Sequence, residues 1–436
     1  MQYAVLMLMI FLSVISRPRQ RLLEISVQLN IPVEFRVVSL SIADFFVLGL
    51  LLLTALRLLL EADYRQRLLD TVNAIVTRGG GLWWVLLALW SIVGMVWAND
   101  DTMLRFSAVH LIASLVTAFV LAGLVQERGD RPLLYALLVS VVIQTLIAIM
   151  QVLNNGPLGW YALGEIDRFF YDPTDFYRAP GLAMHYNYLA GYLMVGLFAC
   201  ILLGWQRRAR GQPVILPVIV GLLACVGILS TFSRGALLST AVGLLPLGMV
   251  VFFALNRRAR LLVAAGLVGA VLLALVYVLV ALGGFENLQT RFFTGREFFF
   301  DYTWAVIQQS PVLGVGAGNL MLEAGRTWGL EVEALLPVHN VYLFIWAEQG
   351  LPGLALYLLA CFAILRRLRP RHGVSVFIWS CCFLAICTVN LFDNYFWAVH
   401  PFRVVFFWVV GLWWGYACPV EASEAAVSVE APQPVS

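Results

Sequence analysis

The sequence predicts an all-α polytopic membrane protein, and three observations support that class. Of the 436 residues, 61% are hydrophobic and 12% are charged, about half of the roughly 25% charged share of soluble domains. The mean hydropathy is +0.88. A membrane-spanning helix needs ~20 apolar residues. Apolar runs of about this length recur along the whole chain. This composition excludes a soluble globular enzyme, a disordered chain and a nucleic-acid binder.

Twelve apolar runs predict about twelve transmembrane helices within a single membrane domain, residues 1–418. The runs are 1–16, 39–60, 82–98, 104–126, 132–153, 186–204, 214–231, 236–255, 261–283, 351–367, 374–391 and 404–417. The first run has no basic residue before it and no small-residue cleavage site. It is therefore interpreted as a short first span rather than a signal peptide.

The distribution of arginine predicts the orientation of these helices. Five connecting segments hold 16 of the 28 basic residues, all of them arginine: 57–81, 127–131, 205–213, 256–260 and 366–372. Arginine is enriched in cytoplasmic loops, so both termini are expected in the cytoplasm, with a disordered tail at 419–436. The first loop, on the outer side, also carries four arginines. Either it violates the rule or the first run does not fully span.

Two longer segments then face the outer side, 154–185 and 284–350. The second contains a patterned stretch, 296–309, that predicts a helix lying at the membrane surface. The glycine-rich stretch from Gly314 to Asn319 resembles a nucleotide-binding loop, but no strand precedes it and the Walker pattern is absent. A tight surface turn between outer helices is the better interpretation.

The outer arginines after the first loop indicate an anionic partner. They are Arg105, Arg168, Arg178, Arg234, Arg291, Arg296, Arg326 and Arg403. Arginine is selected against in short outer loops, so these residues pair with outer acids, with lipid phosphates or with a bound anion. For Arg234 a bound anion is the favoured partner, because no carboxylate lies within ten residues of it in the sequence. A guanidinium binds a diphosphate with two charge-assisted bonds.

Two outer histidines, His185 and His339, each begin an apolar helix. An imidazole has an ordinary pKa of about 6.5, so it could act as a general base near neutral pH; a helix cap is the alternative at both positions. The sequence contains no Asp-x-Asp motif, and Glu331 and Glu333 are the one spaced acidic pair in the long outer segment. The sequence therefore predicts a reaction without a metal.

Two ionisable residues, Asp44 and His110, lie within apolar runs. Such residues are costly in a membrane and are often functional. We expect each to bond to a neighbouring helix. A secondary transporter, the competing class, would use them on a transport path, together with internal repeats and broken helices.

The order of the motifs resembles one superfamily: the bacterial O-antigen ligases, O-antigen polymerases and protein O-oligosaccharyltransferases. The resemblance covers about residues 175–400. The motifs are Arg178-Ala-Pro-Gly181, His185-Tyr-Asn187, Ser233-Arg234-Gly235, Gly314-x-Gly316-x-Gly318-Asn319, His339-Asn340 and Glu348-Gln349-Gly350-Leu351-x-Gly353. The resemblance implies a GT-C-like membrane glycosyltransferase in the bacterial inner membrane, with its active site facing the periplasm.

The resemblance also implies substrates and roles. The donor would be an O-antigen glycan on undecaprenyl diphosphate, and the acceptor a sugar hydroxyl of lipid A–core. The transfer would invert the anomeric centre and need no cofactor. His339 would be the base, and Arg234 with either Arg291 or Arg296 would hold the diphosphate. Further substrate-binding candidates are Arg178, His185 and Asn340. An O-antigen ligase is favoured, and a polymerase of the same superfamily stays the alternative.

Overall fold

A computed structural model describes residues 1–12, 20–24, 37–166, 177–258, 297–328 and 336–420. These ranges contain fifteen α-helices and one pair of short antiparallel strands, β1 (Gln20–Glu24) and β2 (Val37–Leu40). The helices are α1 (Gln2–Leu12), α2 (Ile42–Leu60), α3 (Ala62–Arg78), α4 (Gly81–Val93), α5 (Asp101–Arg128), α6 (Arg131–Leu153), α7 (Tyr186–Ala209), α8 (Ile215–Ser230), α9 (Arg234–Ala254), α10 (Glu297–Gln309), α11 (Leu320–Trp328), α12 (Val341–Leu365), α13 (Val374–Val389), α14 (Tyr395–Ala398) and α15 (His400–Ala417).

Six of the described helices are long and apolar enough to cross a membrane: α2, α5, α6, α7, α9 and α12. A seventh span is possible if α3 and α4, bent by 91° at their junction, count as one. Helices α8 and α13 are apolar but shorter. The all-α polytopic class is confirmed, and the count of twelve spans is not. The predicted span 261–283 and nearly all of the tail 419–436 lie outside the described residues.

Two predicted boundaries are wrong. Residues 57–81, predicted as a loop, contain α3, which buries one face and leaves the other polar. An amphipathic helix of this kind has low mean hydropathy, so a search for apolar runs misses it. The span predicted at 351–367 starts too late, because α12 runs from Val341 to Leu365 and includes the apolar segment after His339. Gly350 interrupts α12 with φ 64° and ψ −169°, and the predicted span began after that break.

Helix α15 lies at the centre of the fold and packs along α5. Nearly every side chain of α15 is buried, which fits a helix that is apolar on all sides. A Cβ atom built on Gly411 would lie 2.7 Å from the carbonyl oxygen of Ala118, so glycine permits the close approach of the two helices. The first turns of both helices line the cavity described next.

Candidate functional site

A cavity of about 300 Å³ lies where the N-terminal ends of five helices meet: α2, α5, α7, α12 and α15. Its acidic, histidine and arginine lining residues are Asp44, His110, His185, His339, Glu348, Asp393, His400 and Arg403. Helix N-termini carry partial positive charge from their unpaired N–H groups. The cavity is therefore suited to a hydroxyl-rich ligand.

His339 and Asp393 form a hydrogen-bonded pair in this cavity. The His339 Nδ1 atom lies 3.2 Å from Asp393 Oδ1, and the side chains are 23% and 6% exposed. Burial alone would raise the pKa of Asp393, but the charges and bonds of His339, His185 and the Asn394 N–H outweigh it and hold that pKa below its usual range. An ionised carboxylate only accepts hydrogen bonds, so His339 Nδ1 must carry the proton. When the imidazole is neutral, its Nε2 atom is then an acceptor.

Asp393 lies in a turn, residues 390–394, that is bonded to the start of α12. The Asn390 carbonyl accepts from the Val341 N–H at 2.8 Å, and the Asn394 side chain donates to the Val338 carbonyl at 2.9 Å. These bonds hold His339 against the turn. Asp393 was not predicted from the sequence, although it is the single carboxylate in residues 374–417.

The predicted motifs around His185 and His339 converge on Asp393. His185 caps α7, since its Nδ1 atom accepts from the Asn187 N–H at 3.2 Å. The Asn187 side chain then donates to Asp393 Oδ2 at 2.7 Å. The capping alternative is confirmed for His185, which also lines the cavity.

Asn340 acts as a helix cap in the described structure. Its Oδ1 atom accepts from the Leu343 N–H at 3.0 Å and its Nδ2 atom donates to the Leu391 carbonyl at 3.3 Å. These contacts fix the start of α12 beside the turn 390–394. A substrate contact of Asn340 stays a prediction.

Arg178 supports the turn that precedes Arg234. Its guanidinium donates to the carbonyls of Thr231 and Phe232 at 3.3 and 2.8 Å. It also donates to the Tyr186 hydroxyl at 2.9 Å and stacks 3.6 Å above that ring. Phe232 has a φ of +50°, a strained conformation that tertiary contacts must stabilise. Direct binding of substrate by Arg178 stays a prediction.

Arg234 is the first residue of α9, and its side chain is exposed. The neighbouring Gly235 lies against the turn 390–394, because a Cβ atom on Gly235 would lie 3.4 Å from Phe392 Cβ. Arg234 is thus beside the Asp393 turn, although it is not part of the lining formed by the described residues. Arg291 and Arg296 lie outside the described residues.

The glycine-rich stretch connects α10 and α11, as predicted, but it is buried rather than at the surface. Gly314, Gly316 and Gly318 all have positive φ values. A Cβ atom on Gly314 would lie 2.5 Å from the backbone of Glu348, and one on Gly318 would lie 2.7 Å from the Met103 carbonyl. The stretch therefore packs α12 against the start of α5 and forms part of the cavity wall. The predicted helix at 296–309 is observed as α10.

A second polar cluster on the cavity wall contains Asp44, His110 and His400. Asp44 Oδ1 lies 3.1 Å from His110 Nε2 and also contacts His400 Nε2. The prediction that Asp44 and His110 bond to neighbouring helices is confirmed. His400 was missed, because a histidine in Val399-His400-Pro401 gives no sign in the sequence of a partner more than 350 residues away.

The comparisons with known proteins agree with the resemblance. Residues 219–358 match the family model Wzy_C, described as O-Antigen ligase; the matched range includes both Arg234 and His339. The chain is also similar to the O-antigen ligase of Salmonella typhimurium, with 29% identity over 195 residues. That match covers 40% of this chain and 45% of the Salmonella protein, so the chain spans less than half of its relative's length. On these matches, the chain is similar to the O-antigen ligases over its central and C-terminal part.

Proposed function

We propose that this protein is an O-antigen ligase of the bacterial inner membrane. It transfers a glycan from undecaprenyl diphosphate to a sugar hydroxyl of lipid A–core at the periplasmic face. The His339–Asp393 pair carries the proposal, because it presents an imidazole acceptor atom to a cavity in a protein similar to the O-antigen ligases. Both substrates are amphiphiles, which accounts for a cavity at the ends of apolar helices.

The proposed chemistry is a single inverting displacement. The acceptor hydroxyl donates its proton to His339 Nε2 while its oxygen forms a bond to the donor's C1 atom. The bond between C1 and the diphosphate oxygen breaks, and the diphosphate leaves as an anion. A positioned base typically contributes 10²- to 10⁴-fold to such a step. The leaving group needs no proton, so one base is sufficient.

The leaving diphosphate is assigned to Arg234, together with Arg291 or Arg296. Fixed guanidinium groups stabilise the charge that develops on the diphosphate in the transition state. Among the described residues, the cavity wall carries one arginine, Arg403, against three carboxylates. The diphosphate is therefore placed at the cavity mouth beside Arg234, and the acceptor hydroxyl inside near His339. Neither role requires a metal.

We expect Arg234→Lys to lower glycan transfer even though it keeps the charge. Lysine cannot form the two parallel bonds that a guanidinium makes to a diphosphate. Arg234→Ala should abolish most transfer in a reconstituted assay with lipid-linked donor. The matched control is Arg326→Lys, an exposed arginine 3.5 Å from Glu323, which should transfer normally. Normal transfer by a folded Arg234→Ala protein would contradict the assignment.

The proposed topology places Thr327 in the periplasm and Gln212 in the cytoplasm. Both residues are exposed in the described structure, so a cysteine introduced at either position is accessible to a thiol reagent. A membrane-impermeant reagent added from the periplasm should label Thr327→Cys and not Gln212→Cys. Labelling of both positions, or of Gln212→Cys alone, would contradict this orientation.

A gene deletion distinguishes the ligase from the polymerase. Loss of a ligase should leave long lipid-linked glycan and uncapped lipid A–core, whereas loss of a polymerase should leave single repeat units attached to the core.

The positions of Asp44 and His400 along their helices disfavour the transporter alternative. Asp44 and His400 are in the first turns of α2 and α15, and a midplane transport site would need them deeper in the helices.

A further inference from the structure

The proposed transfer makes no use of the cluster formed by Asp44, His110 and His400. Its members come from three elements, α2, α5 and α15, and one nitrogen or oxygen atom from each lies within 4.8 Å of the others. The side chains are only 9%, 8% and 14% exposed. Two imidazoles and a carboxylate that converge in this way match the donor types of a zinc-class metal site.

The carboxylate of Asp44 is oriented as a metal ligand would be. Its Oδ2 atom accepts from the Ser41 N–H at 2.6 Å and from the Ser41 hydroxyl at 2.7 Å. The other oxygen, Oδ1, is therefore directed at the two imidazole Nε2 atoms. Metal-binding carboxylates are commonly held by such outer hydrogen bonds.

The histidine rings are also held in place by packing. The edge of Phe106 meets the His110 ring at a centroid distance of 4.1 Å, and the His110 and His400 rings lie 3.6 Å apart. The three donor atoms lie within 4.8 Å of one another, and a zinc ion bound to all three would have bonds of about 2.0–2.1 Å. A fourth ligand position would face the cavity, which all three side chains line.

We propose that Asp44, His110 and His400 bind one divalent metal ion of the Zn²⁺ class. Imidazole nitrogen disfavours Mg²⁺ and Ca²⁺, which prefer oxygen ligands. The ion joins the starts of α2 and α15 to α5, so it holds one wall of the cavity in shape. The site does not depend on the proposed function, and no step of the transfer is assigned to the metal.

Metal binding by the full-length protein in detergent tests this proposal. After treatment with a chelator, the wild-type protein should bind one equivalent of Zn²⁺ in calorimetry, and Zn²⁺ should raise its melting temperature. Co²⁺ should replace Zn²⁺ and give the visible absorption bands of a four-coordinate site. Absence of both Zn²⁺ binding and the Co²⁺ bands in the wild type would overturn the proposal and leave a hydrogen-bonded cluster.

Variants locate the bound ion. Ser41→Ala keeps all three ligands and should weaken Zn²⁺ binding by about 10- to 100-fold, whereas Asp44→Asn and His110→Gln should weaken it further. The matched control is His372→Ala, which removes an exposed histidine far along the chain and should bind Zn²⁺ like the wild type. Equal binding by Ser41→Ala, Asp44→Asn and the wild type would show that the ion sits elsewhere. If Asp44→Asn does not fold, the comparison of Ser41→Ala with the wild type decides.

Discussion

Replacing His339 by alanine is expected to lower turnover by about 10²-fold or more while protein level and donor binding stay near normal. The expectation follows from the geometry of the pair, because Asp393 fixes the proton on His339 Nδ1 and leaves Nε2 as the acceptor. Without that atom, the acceptor hydroxyl must lose its proton to water. Single-turnover measurements with purified protein and saturating donor separate this chemical step from substrate binding and product release.

His339→Gln provides the conservative control for this prediction. Glutamine can replace a hydrogen bond to Asp393, but its amide is not a useful base, so it should not restore turnover. If His339→Gln transferred glycan close to the wild-type rate, His339 would be a structural residue at the start of α12. A wild-type rate for His339→Ala would lead to the same conclusion.

The sequence predicted His339 because its position could be deduced locally. A histidine that follows Pro337 and precedes an apolar run marks the start of a helix, and α12 does begin at Val341. Asp393 could not be found in this way. Its contact with His339 joins residues 54 positions apart, and only the packing of α13 against α12 brings them together.

Arg178 shows a different limit of sequence reasoning. An arginine at a helix mouth predicts an anion, because the guanidinium has five N–H donors and no acceptor. Backbone carbonyl oxygens can accept from these donors just as phosphate oxygens can. In this structure Arg178 donates to the carbonyls of Thr231 and Phe232. Residue type therefore indicated an oxygen-rich partner, and the fold determined which oxygens were within reach.

The helices themselves were largely predictable from hydropathy, with two kinds of exception. Helix α3 was missed because its polar face lowers its mean hydropathy. The span that corresponds to α12 was predicted too short because Gly350 and Pro352 interrupt the helix, and the apolar helical segment after His339 was assigned to the outer segment. Such a break needs tertiary support. In this fold, Gly350 packs so closely on Val312 that a Cβ atom would clash with the carbonyl oxygen of that residue.

Replacing Asp393 by asparagine should lower turnover by about 10²-fold or more, and by up to roughly 10⁴-fold. The asparagine side chain has nearly the same shape, so packing in the turn 390–394 should be kept. Its amide NH₂ group can donate to His339 Nδ1, which would place the imidazole proton on Nε2 and remove the base. Asp393 touches no substrate in this proposal, so it is a positioning residue and the Michaelis constant should change little.

The double variant His339→Ala/Asp393→Asn separates this role from a purely structural one. If Asp393 acts through His339, the double variant should turn over no more slowly than His339→Ala alone, because the base is already absent. If the double variant turned over more slowly than His339→Ala, so that the fold-losses of the two single variants multiplied, Asp393 would support the fold instead.

The pH dependence of stability tests the role of Asp393 in a second way. The pKa of Asp393 lies below its usual range because His339, His185 and the Asn394 N–H outweigh the effect of burial. A lowered carboxyl pKa contributes stability above the unfolded value of about 3.9, and that contribution is lost as pH falls through the folded value. The wild type should therefore lose unfolding free energy relative to Asp393→Asn as the solution is made more acidic below about pH 4. Parallel stability curves for the two proteins across that range would contradict the lowered pKa of Asp393 and the favourable interactions with His339, His185 and the Asn394 N–H that cause it.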